Sequence, residues 1–321
     1  MHRRTFGLFA AATLLAGPGL IGSGRSARAA GDVVRIGWLR GPNDVTLAKA
    51  RGSLEKALAA QGATVEWSGP FPAAAPAVEA MNAGAIDITV GSSTSCIASF
   101  AAGVPMVIFA YQKMAPAAEG ILVKRESSIQ TVKDLAGRSV AVNRGGTGEY
   151  LLVRALERAG MDPKSVTRTY LSPSDGGPAF TSGHVDAWAT WDPFLAIAVK
   201  SYDARILADG AAIGSDNAVT TMATKAFATE KRALLRVVFD TLQADNAWAA
   251  EHKQEAGLIW TQVMGVPTDL AEEIGRNNAV PTRAVTTADV TQIGRIADWY
   301  AANGIVPRRP NVEDGVLKLE N

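Results

Sequence analysis

The stretch Val140–Leu156 reads V-A-V-N-R-G-G-T-G-E-Y-L-L-V-R-A-L. The apolar run Val140-Ala141-Val142 has the length and composition of a buried parallel strand. Leu151, Leu152, Ala155 and Leu156 recur at helical spacing and can share one face. Between the two lies Asn143-Arg144-Gly145-Gly146-Thr147-Gly148. A strand that ends in a glycine-rich turn and opens a helix offers free backbone N–H groups, and the helix dipole favours an anion there. The spacing is neither G-x-G-x-x-G nor G-x-x-x-x-G-K-[ST], so the nucleotide fingerprints are not met. Gly145, Gly146 and Gly148 are equally compatible with a plain tight βα turn.

Outward from this stretch, the same strand–turn–helix rhythm repeats in both directions. Upstream strands are predicted at Val33–Leu39, Thr64–Trp67, Ile86–Val90 and Pro105–Tyr111, with helices at Val45–Ala60 and Pro76–Ala83 and another opened by Gly91-Ser92-Ser93-Thr94-Ser95. Downstream, strands are predicted at Ile121–Lys124, Arg138–Asn143, Val166–Leu171, Val185–Thr190 and Arg205–Ala208, with helices at Thr131–Ala136, Glu149–Gly160, Gly177–Gly183 and Pro193–Ser201. After Thr220 the pattern is mostly helical: Lys231–Glu251, His252–Met264, Asp269–Arg276 and Thr287–Asn303. Alternating strands and helices argue for parallel-rich sheets covered by helices. Two α/β lobes follow: residues 31–118 with the helical part 221–321 in one, residues 119–220 in the other. The chain would cross between them near Glu119–Gly120 and Ala218–Met222, which would form a hinge.

The N-terminus reads as an export signal, residues 1–30. Arg3-Arg4 precede the apolar Gly7–Leu15, and Ala27-Arg28-Ala29 offers a cleavage site. The paired arginines fit a twin-arginine route, although a Sec signal also needs basic residues there. The chain has 321 residues, 47% of them hydrophobic and 20% charged, which suits a soluble protein of about two lobes. The signal holds four arginines and no acid, so the exported part has 28 basic and 31 acidic residues and a net charge near −3. That balance gives no nucleic-acid surface. The only cysteine, Cys96, can form no internal disulfide and reads as a small buried residue.

In open α/β sheets a ligand sits outside the carboxyl ends of the strands. The groups expected there are Leu39–Asn43, Ser92, Ser93 and Thr94, the Arg144-Gly145-Gly146-Thr147 loop, and Trp191-Asp192. Hydroxyl and N–H donors can hold a fully ionised tetrahedral oxyanion without a counter-charge, and Arg144 can add a charge-assisted bond or stay solvated. Trp191 is the expected cleft residue and Trp188 the packing one. Asp192 can accept from a ligand or cap the helix after Pro193, and Asp-Pro favours the cap. Catalytic and metal sites are not expected. No His/Cys cluster has ligand spacing, G-x-S-x-G is absent, and Glu272-Glu273 reads as a solvated helix face.

The chain resembles the periplasmic substrate-binding proteins of ABC importers for aliphatic sulfonates, the SsuA/TauA group. The resemblance covers nearly all of the exported part. It is carried by Leu47-Ala48-Lys49-Ala50-Arg51-Gly52-Ser53-Leu54-Glu55-Lys56, Ala118-Glu119-Gly120-Ile121-Leu122-Val123, Tyr150-Leu151-Leu152-Val153-Arg154-Ala155-Leu156-Glu157, Val185-Asp186-Ala187-Trp188 and Trp191-Asp192-Pro193. It implies a type II periplasmic binding fold, two α/β lobes closing on a small sulfonate, with no cofactor and no catalysis. It also implies a monomer that delivers the ligand to an inner-membrane permease served by a cytoplasmic ATPase. The family's binding positions fall on Thr94, Gly145-Gly146-Thr147 and Trp191-Asp192. Two departures lie in the expected pocket. Ser92-Ser93-Thr94-Ser95-Cys96 stands where the family often has Gly-Glu-Thr-Pro-Pro, and Leu39 stands where a polar residue often follows the first strand. Taurine, longer alkanesulfonates, sulfate esters and nitrate-like anions stay open as ligands. So do a pyrimidine or an aromatic acid. An enzyme like the thiamine-pyrimidine synthases of similar fold is disfavoured by the export signal and the single cysteine.

Overall fold

The computed structural model describes residues 32–319, and the expected export signal lies outside them. In chain order the elements are β1 (Val33–Leu39), α1 (Asp44–Arg51), α2 (Ser53–Ala59), β2 (Thr64–Phe71), α3 (Ala74–Asn82), β3 (Ile88–Ser92), α4 (Ser93–Ala101) and β4 (Met106–Lys113). Next come β5 (Glu119–Lys124), β6 (Ser139–Val142), α5 (Thr147–Arg158), β7 (Thr167–Tyr170), α6 (Pro173–Thr181), β8 (Ala187–Trp191), α7 (Phe194–Ser201), β9 (Ala204–Asp209) and α8 (Gly210–Ile213). The rest is β10 (Ala218–Thr224), α9 (Lys225–Glu230), α10 (Arg232–Glu251), α11 (Lys253–Met264), α12 (Ala271–Asn278) and α13 (Thr287–Ala302).

Two five-stranded sheets result, ordered β2-β1-β3-β10-β4 and β7-β6-β8-β5-β9. In each, the first three strands pair in parallel, and the fourth runs antiparallel to both its neighbours. The reversed strands, β5 and β10, are the ones that follow a crossing from the other sheet. The crossings are residues 114–118 and 214–217, and Asn217 of the second hydrogen-bonds Glu119 beside the first. Type II periplasmic binding architecture, with parallel-rich sheets flanked by helices, is the fold observed.

The core follows the periodicity. Val140, Ala141 and Val142 are buried, and α5 turns Leu151, Leu152, Ala155 and Leu156 inward. Helix α10 lies on α1 and α2, while Trp260 of α11 packs beside Leu47 of α1 and donates its indole N–H to the Asn43 carbonyl (3.1 Å). The C-terminal helices are thereby bound to the first sheet's helical layer.

Three local expectations need correction. The helix expected over Val45–Ala60 is broken at Gly52, whose φ of +65° ends α1 in the left-handed conformation before α2 starts. The turn expected as a helix at Thr131–Ala136 is a single 3-10 turn, Val132–Leu135, closed by a capping box between Thr131 and Asp134. Ala218–Met222, expected as the second crossing between the lobes, instead lie in β10 (Ala218–Thr224), an inner strand of the first sheet. The chain therefore returns to that sheet before Ala218.

Candidate functional site

A cavity of about 580 Å³ opens where the parallel strands of both sheets end. Its walls include Leu39 after β1, Pro72 after β2, Ser92 at the end of β3, Asn143 after β6, Leu171 after β7 and Trp191 at the end of β8. These are the carboxyl ends at which a doubly wound sheet places its ligand.

Each strand end is also a helix start. Asn43 caps α1, accepting from Thr46 N (2.9 Å). Ser92 caps α4 and accepts from Ser95 N (3.2 Å), and Ser172 caps α6. Ala73 precedes α3 and Gly146 precedes α5. All five cap positions line the cavity. Each helix start carries roughly half a positive charge, so the positive ends of five helices converge on one space. The field favours an anion without any buried cation.

The glycine loop is more heavily committed than its sequence suggests. Gly145, at φ +63°, donates its N–H to Glu149 Oε2 (2.7 Å), and Gly148 N–H goes to Asn143 Oδ1 (2.7 Å). Gly146 N–H reaches the Asn143 carbonyl at 3.3 Å. A Cβ on Gly146 would stand 1.9 Å from Asn143 Nδ2, so a larger residue there would displace the Asn143 side chain that accepts the Gly148 N–H. Among the described residues the Thr147 N–H takes no acceptor. The loop thus offers the cavity one residue with two donors, the amide and hydroxyl of Thr147, rather than a cradle of glycine amides.

The expected residues divide accordingly. Leu39, Ser92, Arg144, Gly145, Gly146, Thr147, Trp191 and Asp192 line the cavity. Ser93 and Thr94 do not. Both are fully buried, because the turn into α4 points Ser92 outward and the next two side chains inward. Ser93 Oγ donates to Asn217 Oδ1 (3.0 Å) and accepts from Ala218 N (3.2 Å). Thr94 Oγ1 sits behind the cavity, 2.7 Å from Ser92 Oγ and 3.5 Å from Thr147 Oγ1, so it joins the hydroxyls of the two strand-end loops.

Arg144 is exposed at the rim and lies 3.6 Å over the Tyr170 ring. The Tyr170 hydroxyl donates to Glu149 (2.6 Å). Trp191 lines the cavity with its edge against Phe194, whereas Trp188 is buried among Phe180 and Phe194. Asp192 contributes wall, but its carboxylate is turned away from a ligand. It accepts from Ala196 N in α7 (3.3 Å) and from Asn277 (3.3 Å) and Asn278 (2.9 Å) of α12. Pro193, not Asp192, is the N-cap of α7, so Asp192 reaches the first turn from one position earlier than the expected Asp-Pro cap; its asparagine partners were not visible in the sequence. Burial pushes the Asp192 carboxyl up to about 7.

Most of the remaining wall is apolar: Pro42, Val78, Val90, Ala98, Met114 and Val219 among others. Cys96 lies outside it, buried against Thr220 and Met222, and burial pushes its thiol up to about 12. His184 and His252 are also outside the cavity.

A family model described as NMT1/THI5 like matches residues 59–256. A protein of Escherichia coli (strain K12) named for aliphatic sulfonate binding is 30% identical over 292 residues, covering 91% of this chain and 90% of that protein. The chain belongs to the NMT1/THI5-like family, within its SsuA/TauA group of aliphatic sulfonate-binding proteins. Two solved structures agree in fold. The alkanesulfonate-binding SsuA from Xanthomonas axonopodis pv. citri, bound to MOPS, superposes with a TM-score of 0.84 at 27% identity, covering 89% of this chain and 98% of that one. The periplasmic aliphatic sulphonate binding protein SsuA from Escherichia coli gives 0.79 at 29% identity, covering 90% and 94%. Solute binding is the role that such SsuA/TauA relatives support.

Proposed function

We propose that the protein captures an organosulfonate, with an alkanesulfonate as the main ligand, and delivers it to the permease of an ABC importer. The observation that carries this reading is the convergence of five helix starts and the hydroxyls of Ser92 and Thr147 on one largely apolar cavity. An oxyanion headgroup meets the donors, and the tail meets Trp191 and the aliphatic wall. The names of the SsuA relatives point to the same chemistry. The two sheets act as lobes hinged at residues 114–118 and 214–217, closing on the ligand. The protein works as a monomer in the periplasm after loss of residues 1–30, and the permease and its ATPase take the ligand onward. No catalysis is assigned, in keeping with relatives that are named as binding proteins.

The wall also ranks the ligands. A buried ammonium group needs a partner, since an unpaired charge in an apolar site costs several kcal/mol (about 3 or more). Of the cavity's two carboxylates, Asp192 is taken by α7 and α12, and Glu79 is exposed at the rim. Taurine should therefore bind worse than an alkanesulfonate of equal length. A thermal-shift series with the purified protein checks this. Melting temperature should rise most with propane- to octanesulfonate and least with taurine, because a ligand selective for the folded state stabilises it by mass action. A larger rise with taurine, or none with any sulfonate, would refute the ranking or the ligand class respectively.

A further inference from the structure

We propose that Asn217 is a positioning residue for anion capture: it fixes the Thr147 hydroxyl as a donor aimed into the cavity. The inference rests on the reading that the cavity holds an oxyanion. The hydrogen-bond count along the second crossing carries it. Ser93 Oγ donates to Asn217 Oδ1 (3.0 Å) and accepts the Ala218 N–H (3.2 Å). The ionised Glu119 carboxylate can only accept, so the end of the Asn217 amide that faces it is Nδ2 and the end that faces Ser93 is Oδ1. Its Nδ2 then supplies one hydrogen to Glu119 Oε2 (3.0 Å) and the other to Thr147 Oγ1 (3.0 Å), with the weak acceptor Met114 Sδ farther off at 3.6 Å. Thr147 Oγ1 is thereby an acceptor on its inner side, and its hydrogen is left for the cavity it lines or for Thr94 Oγ1, a long 3.5 Å away.

Asn217 is 4% exposed and belongs to the crossing itself, while Glu119 opens the strand after the other crossing. One amide therefore ties both crossings to a hydroxyl at the start of α5. A hydroxyl whose rotor is preset loses no orientational freedom on binding, and it presents a hydrogen rather than a lone pair to an anion.

A double-mutant cycle tests the assignment, read by isothermal calorimetry with butane-1-sulfonate and with thermal unfolding of each variant recorded in parallel. Asn217→Ala should weaken binding about tenfold. In a Thr147→Val background the same change should cost less than twofold, since the hydroxyl through which it acts is gone. Should Asn217→Ala not fold, Asn217→Ser keeps a hydroxyl for Ser93, is too short to reach Thr147, and runs through the same cycle. Equal losses in both backgrounds would mean that Asn217 acts on binding without Thr147, and no loss in either would mean that it does not act; both results overturn the proposal. If the wild-type protein binds no alkanesulfonate at all, the reading of the cavity falls first and this assignment with it.

Discussion

Replacing Gly257 by alanine should lower the unfolding free energy by about 3 kcal/mol, at the upper end of what overpacking costs. Helices α11 and α12 cross with their backbones in contact. A Cβ on Gly257 would stand 1.9 Å from the Ala271 carbonyl oxygen, and one on Gly275 would stand 1.9 Å from that of Lys253. The obstructing atoms are main chain, so no rotamer change relieves them and the helices must separate. Separation reaches the cavity, because α12 ends in Asn277 and Asn278, the two side-chain donors to Asp192. Weaker ligand binding should accompany the lost stability. Gly275→Ala should behave alike, and the double variant should cost less than the sum, since one separation serves both. Gly294→Ala in α13 is the control: its Cβ would meet only the far ends of Arg309 and Glu313, so helix propensity should make it neutral or stabilising by up to about 1 kcal/mol. Urea denaturation midpoints measure all four. A Gly257→Ala midpoint equal to that of the wild type would contradict the close crossing.

The second large effect is on the pH dependence of stability. Glu119 is buried between the two crossings and, among the described residues, meets Asn217 and Ser215 but no cation, and burial pushes its carboxyl up to about 7. Asp192, raised to about 7 as well, faces two asparagines and the like charge of Glu273. From about pH 4.5 to 7 the folded state holds protons that the unfolded chain has already released. The protein should therefore lose stability as pH rises through that window and level off above it. Each of these raised carboxyls contributes a few kcal/mol, roughly 3, that is lost across the window. Asp186, Asp289 and Glu313 are depressed by hydrogen bonds and arginines, so their contribution is lost on acidification below that window. Glu119→Gln should flatten the decline and raise the melting temperature at pH 8, because an amide oxygen can still accept from Asn217 and Ser215 without a buried charge. An unchanged slope between pH 5 and 8 would show that Glu119 is ionised throughout.

The division between what was readable and what was not follows a physical line. The β6–loop–α5 unit was legible because an apolar run, glycines and helical periodicity all point one way. The position of Trp191 was legible as a strand end before Asp-Pro, whereas the expected Asp192 N-cap was one residue out of phase, since Pro193 takes that position. Strand β10 was not. Its A-V-T-T-M-A-T carries threonines that look like loop, yet Thr220 donates to the Gly91 carbonyl (3.3 Å) and Thr221 to Asp44 (2.9 Å), so both are satisfied inside. Ser92, Ser93 and Thr94 are adjacent hydroxyls, and only the exact phase of α4 decides that the first faces the cavity and the other two do not. Asn217, Asn277 and Asn278 gain their roles from elements 70 to 98 residues away in sequence. Local pattern carries no record of such pairings.

The measurement that tests the central claim most directly is calorimetric titration of the purified protein with a matched pair, butane-1-sulfonate and pentanoate, at pH 7.5. The tails are alike and both headgroups are fully ionised, so only the oxyanion differs. A sulfonate offers three oxygens to the donors of Ser92 and Thr147, and a planar carboxylate offers two. A donor left unpaired in a buried site costs about 1–3 kcal/mol, so the sulfonate should bind roughly 10- to 100-fold more tightly. Equal affinities, or tighter binding of pentanoate, would contradict the assignment of the cavity to a sulfonate.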